Sequence, residues 1–276
     1  MQILAFNLPL YKFIFTNTHR HKKMPAVKFD RVNVNQDVSI QLPERMKNGL
    51  GYLAKFDPVE IQLPAMKLPW KCRPQPPMSG NGPHTCKLAL AFDAKWDDLD
   101  NADQKAVYQM FRDIDKIALD YILAHKSEFF PSTKKAPSDQ LLREELFHKS
   151  VKESTDYAPT FQAKVDFRAV QNQLNGNFDR SSGQEPPAKK HQYDEPEQEF
   201  ELRIGCFNKE GNEVSPSIGL EKGNRAIAVI YPQHIWQVNS RCGITWKVPR
   251  VMVTSMETTS TSFDFDVDKT EDSQNE

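Results

Sequence analysis

The chain predicts a mainly β fold with a helical insertion, an α+β protein built on a small, partly open β-barrel and ending in a disordered acidic tail. Three observations carry this expectation. Several short segments alternate apolar and polar residues, one stretch repeats apolar residues at three-and-four spacing, and the residues beyond 255 hold little besides acids and small polar side chains.

With 276 residues, 38% hydrophobic and 26% charged, the chain is lean for two packed cores and fits one main domain with polar insertions. Nineteen prolines, eleven glycines and seventeen phenylalanines exclude collagen-like, coiled-coil and fully disordered classes, since so many rings would leave too much apolar surface in water. The expected organisation is a leader at 1–23 outside the fold, a barrel domain at 24–255 and a tail at 256–276. The domain carries a helical insertion at about 97–152 and a mobile loop at about 172–196.

The leader is apolar from Ile3 to Phe15 and basic afterwards, the reverse of a secretory signal. Met24 then opens MPAVKFDRV, so residues 1–23 read as an upstream extension, with a weak targeting segment as the other reading.

Alternation marks the strands. In Lys87–Asp93, Leu88, Leu90 and Phe92 share a face; in Glu199–Phe207, Phe200, Leu202, Ile204 and Cys206 do. Thr160–Val170 alternates more loosely, with Phe161, Val165 and Phe167 opposite Gln162, Lys164 and Arg168, the side that meets solvent or ligand. Apolar runs at Ala226–Tyr231 and Gly243–Val253 complete the set. Between them Val107, Met110, Phe111, Ile114, Ile117, Ala118, Tyr121 and Ile122 spell one amphipathic helix. Asp97, Asp98, Asp100 and Asp103 crowd its start, where capping oxygens and negative charge are favourable. A calcium loop would need a turn glycine and a distal glutamate that are missing there. A shorter helix is expected at Ser138–Lys152, burying Leu142, Leu146 and Phe147. Arg73–Pro83 and Asn172–Pro196 read as loops, and no internal repeat is evident.

No window approaches eighteen uncharged apolar residues, so a membrane-spanning helix is excluded and no membrane partner is expected. Cys72, Cys86, Cys206 and Cys242 lie far apart, which suits reduced thiols in a cytosolic or nuclear compartment. Cys72, His84 and Cys86 lack a fourth ligand at zinc spacing, and no metal or cofactor is expected. Phosphate-loop, dinucleotide, nucleophile-elbow and zinc-protease signatures are all absent. The acid pairs Glu144–Glu145 and Asp194–Glu195 stand in solvated text, so the chain is expected not to be an enzyme.

Charge is uneven. Residues 256–276 hold seven acids against Lys269 alone, a net of −6 within a total of −1, while the leader carries four cations and no acid. Aromatics interleave with cations on the expected strands: Lys164 and Arg168, then Tyr231, Trp236, Arg241, Trp246, Lys247 and Arg250. A single-strand-binding groove needs this mixture, because bases stack on exposed rings while Lys and Arg follow the phosphates. Trp246 shares a face with Ile244 and Val248 and reads as core, which leaves Lys247 pointing outward. Tyr231 leans towards the core, and Trp236 reads equally as core or platform. The candidate DNA-binding residues are thus Lys164, Arg168, Tyr231, Trp236, Arg241 and Lys247. The tail, through Phe263, Asp264, Phe265, Asp266 and Asp268, is a candidate to occupy the basic groove or to dock a partner.

The segments Ile61–Trp70 (IQLPAMKLPW), Tyr157–Lys164 (YAPTFQAK) and Ile235–Val248 (IWQVNSRCGITWKV) resemble the single-stranded-DNA-binding proteins of nucleocytoplasmic large DNA viruses, the branch similar to the phage T7 type. The resemblance spans about Val38 to the C-terminus. It implies an OB-fold barrel with a helical insertion, non-catalytic coating of single strands in replication, recombination and repair, and an acidic tail that contacts replication proteins. It places Lys164 and Arg168 on the DNA-facing strand and implies a homodimer and an intracellular location, a cytoplasmic replication site or the nucleus. The tail here ends Ser-Gln-Asn-Glu, without the terminal aromatic of the phage type. The competing expectation is a structural or assembly protein of a large DNA virus, a minor-capsid-like β-sandwich with all its aromatics in the core.

Overall fold

The computed structural model describes residues 26–77, 83–131, 136–170 and 200–255. The leader, the 172–196 loop and the acidic tail, with Phe263 to Asp268, lie outside the described residues. In chain order the described strands are β1 (Val27–Lys28), β2 (Glu44–Arg45), β3 (Gly51–Lys55), β4 (Ile61–Lys67), β5 (Lys87–Ala91), β6 (Phe147–His148), β7 (Val151–Lys152), β8 (Thr160–Lys164), β9 (Asp166–Ala169), β10 (Phe200–Arg203), β11 (Gly205–Phe207), β12 (Arg225–Val238) and β13 (Arg241–Ser255).

The chain is mainly β with a mixed sheet and some helices. Eleven strands share one sheet, while β9 and β10 form a separate two-stranded ribbon. The pairings β4–β5, β5–β8, β8–β13, β13–β12 and β12–β4 run in a circle, so five strands close a ring. Two of these joins are narrow, a single register pair each: Lys67 with Ala91 and Lys164 with Lys247.

The hairpin β12–β13 dominates, with 14 and 15 residues rich in β-branched and aromatic side chains. Its turn falls at Asn239, whose φ of 55° an asparagine tolerates better than most residues. The sequence predicts two shorter runs here, because Pro232 looks like an end. The strand instead continues through Pro232, with register shifts on either side between Val229 and Tyr231 and between Pro232 and His234. A bulge is where a central strand accommodates a residue that has no N–H to donate.

Other expected strands differ in extent. Glu199–Phe207 divides at Ile204, its first part pairing with β9 and its second running parallel to β13. Thr160–Val170 divides at Val165, whose N–H donates to the Cys86 carbonyl at 3.0 Å. The Lys87–Asp93 segment is buried on both faces, since Ala89 and Ala91 are covered as well as Leu88, Leu90 and Phe92.

The long helix spans Ala102–Ala124 and buries Val107, Met110, Phe111, Ile114, Ala118 and Ile122, as its spacing predicts. Its cap is Asn101, whose Oδ1 accepts from Gln104 N at 3.2 Å, rather than the aspartate cluster; Asp97 and Asp98 belong to a preceding 3-10 turn. The second expected helix shrinks to a turn at Asp139–Leu141 and a π-turn at Leu142–Leu146. Phe147 then pairs with Cys242 and Val151 with Phe161, drawing the chain into the sheet. Between them Ser150 donates both its N–H and its hydroxyl to buried Asp115 of the long helix, at 2.8 and 2.6 Å. Those bonds replace a helical ladder.

The helix meets the ring through aromatic packing. Phe111 stacks on Phe161 at 4.3 Å between centroids, and Trp246 stands edge-on to both. Cys72 and Cys86 are buried free thiols 3.4 Å apart, and His84 packs against Phe200 instead of joining them. Phe161→Ala should lower stability by about 3–5 kcal/mol, the usual cost of emptying an aromatic site. In urea unfolding this appears as an earlier midpoint at unchanged slope.

Candidate nucleic-acid interface

Period-2 alternation buries one face of β5 and β8 and puts Lys87 and Lys164 on the other, where Ala89 and Ala91 are covered and the lysines are not. Leu88 and Ala163 are register partners and buried, as are Leu90 and Phe161. The same register makes Lys87 the partner of Lys164, and Lys164 in turn the partner of Lys247. Tyr231 pairs with Lys247 from the other side. Three cations therefore stand abreast on three strands, an arrangement that costs stability because like charges placed directly opposite repel.

This row borders a groove of about 1050 Å3 walled by β2, β3, the β6–β7 segment and the hairpin. Arg45, Lys47, Lys55, Lys87, Lys149, Lys152 and Lys164 line it against one carboxylate, Glu44, which Lys55 engages at 2.6 Å. Burial and then the charges of Lys152 and Lys164 hold the Lys87 ammonium below its ordinary pKa. Burial and Lys247 do the same to Lys164, with Asp166 opposing. Two imidazoles in the groove respond to this field. Burial, then Lys164, Lys247 and Lys55, press His234 down to about 4, and burial with Arg241 and Lys152 lowers His148.

Trp236 supplies the ring. It is half-buried, lies in register with Gly243, and tilts at 40° against His148 with centroids 5.5 Å apart. A side chain at position 243 would meet the Trp236 ring at 3.1 Å and the His148 Cβ and carbonyl at 3.0 Å, so glycine is what lets both rings approach.

Of the residues expected to form the site, the structure brings Lys164 and Trp236 together in the groove. Lys247 is next in the row, but its ammonium, expected to be open to solvent, is held by both oxygens of Asp166 at 2.8 and 2.9 Å. Tyr231 is half-buried beside it, its phenol pKa raised chiefly by burial. Arg168 is exposed on the β9–β10 ribbon and pairs with Glu201; Arg241 is exposed at the start of β13. Trp246 is core, 2% exposed, donating Nε1–H to Ser150 Oγ at 2.7 Å. Sequence reasoning missed Arg45, Lys47, Lys55, Lys87, Lys149, Lys152, His148 and His234. Only Lys87 left a signal, as the charged neighbour of Leu88 on an alternating strand.

Three comparisons with known proteins bear on the chain. No family model matches it, and no curated protein does. Among solved structures, the single-stranded DNA-binding protein of bacteriophage Enc34 is similar with a TM-score of 0.40 and 13% identity, over 82% of this chain and 95% of that one. The same phage protein in complex with single-stranded DNA gives 0.38 and 12%, over 79% and 97%. Gp2.5, a single-stranded DNA-binding protein encoded by bacteriophage T7, gives 0.38 and 10%, over 74% and 96%.

His234 provides a pH test of the groove's field. Its folded pKa lies below the ordinary 6.5, so the stability it contributes is complete above pH 6.5 and is lost as pH falls towards about 4. His234→Gln should remove that part of the acid sensitivity, read as a smaller drop in urea midpoint between pH 7 and pH 5 than the parent shows.

Proposed function

We propose that this chain is a non-catalytic, sequence-independent single-stranded-DNA-binding protein of an OB-like, partly open barrel type, acting in replication, recombination and repair. The observation that carries this reading is the register-locked lysine row opening on a groove with seven cations, one acid and a half-exposed indole. Packing gains nothing from lysines held abreast, whereas a phosphate backbone neutralises them and gains from counterion release. Trp236 offers a face on which any base stacks, which favours a single strand over a duplex whose bases are already stacked. Lys87, Lys164 and Trp236 are the central contacts, with Arg168, Tyr231, Arg241 and Lys247 as its rim. The acidic tail, by its charge of −6, docks replication proteins in this reading, at an intracellular replication site.

Anisotropy titration of a labelled thirty-base oligothymidine against duplex of equal length, at two salt concentrations, tests the proposal. Salt-sensitive preference for the single strand is expected. An assembly protein would instead oligomerise without nucleic acid and show no salt-sensitive binding. Lys87→Ala and Lys164→Ala should each flatten the salt slope by about 0.7, the single-strand value per phosphate contact, and Lys247→Ala by less because Asp166 already holds that ammonium. Trp236→Ala should weaken binding by about 1–3 kcal/mol with the slope unchanged.

A further inference from the structure

Residues 147–153 form a wall with a cavity on each side. His148, Ser150 and Lys152 line the groove, while Phe147, Val151 and Glu153 line a second cavity of about 580 Å3 against the long helix. This is the alternation of an extended segment, and Lys149 alone of its cations lines both spaces.

The second cavity is basic and aromatic. Arg112 and Lys116, one helical turn apart and both exposed, face it with Lys95, Arg143 and Lys149. Its three carboxylates are Asp97, Asp115 and Glu153. Asp115 is committed to Ser150 and Glu153 to the Tyr108 hydroxyl. Lys95 donates to the Thr155 carbonyl and Arg143 reaches Asp120 at 3.4 Å, whereas Arg112, Lys116 and Lys149 have no hydrogen-bond or ion-pair partner among the described residues. Trp96, half-buried, leans on Tyr108 at 4.8 Å and 35°, presenting a second indole beside these cations.

We infer that this cavity is a second subsite for the same single strand. The strand leaves the groove over Lys149, lays phosphates on Arg112 and Lys116, and sets a base against Trp96. The inference rests on the reading of the groove as a single-strand site. Arg112 and Lys116 repel at four-residue spacing, and although Asp113 and Asp120 offset Lys116 along the helix, a polyanion on the cavity side would neutralise both cations.

The test compares a long and a short probe on the full chain. With thirty-base oligothymidine, Arg112→Ala/Lys116→Ala should lower the salt slope by about 1.4, two contacts at the single-strand value. With a hexathymidylate, which fills the groove alone, affinity should be unchanged, and that control also reports that the variant is folded. Iododeoxyuridine placed along the long probe should cross-link to Trp96. Equal behaviour of variant and parent on the long probe, with no cross-link at Trp96, overturns the subsite while leaving the groove in place. Loss of affinity for an acidic peptide in place of DNA overturns it too, making the cavity a protein-docking site. If neither probe binds the parent, the groove reading fails and the subsite with it.

Discussion

Strand register leaves Lys87, Lys164 and Lys247 no choice of neighbour. A one-residue slip of β5 against β8 would turn Leu88 and Leu90 away from the face where Phe161 and Ala163 are buried and turn Lys87 into it, so the apolar face locks the charged one. The cost is electrostatic. It appears in the depressed pKa values of Lys87, Lys164 and His234, each pushed from its ordinary range by burial first and then by neighbouring cations. The fold thus holds a concentrated positive field that its own acids barely offset, since Glu44 engages Lys55 and Asp166 engages Lys247.

One wall of the groove is formed by residues 147–153, which the sheet holds through Phe147 and Val151 and the helix holds through one polar chain. Trp246 donates to Ser150 Oγ, Ser150 donates to Asp115, and Asp115 belongs to the helix packed on the ring. Burial raises the Asp115 carboxyl to about 6 despite these bonds. A second link, Arg225 gripping Asp93 while Gln104 bonds the same carboxylate, joins the start of that helix to β12. Helical insertion and ring are therefore one packed unit among the described residues, and the insertion serves as one bank of the groove.

The elements legible in the sequence were those whose signal is local. Eight apolar residues at helical spacing marked the helix, and Leu88, Leu90 and Phe92 marked β5. Pro232 concealed the continuity of β12, because the bulges that accommodate it are set by partners far along the chain. Ser138–Lys152 carried helical spacing, yet Asp115 and the sheet edge claimed its second half, a tertiary preference that no window displays. Lys164 was legible as a groove-lining position because it sits on the polar side of an alternating strand, whereas Trp236, beyond Pro232, read equally as core or platform. Lys55, Lys152 and His148 were not, since their closeness to Lys164 arises only when β3, β6 and β7 join the sheet.

A lysine row held ready for a polyanion must cost the fold stability while none is bound. The most direct measurement is the urea midpoint of a Lys87→Gln/Lys164→Gln double variant without nucleic acid, at low ionic strength, where repulsion is least screened. The expected midpoint lies above that of the parent, with the difference shrinking as salt is added. A midpoint below the parent at every salt concentration would contradict it, because the lysines would then be supporting the fold.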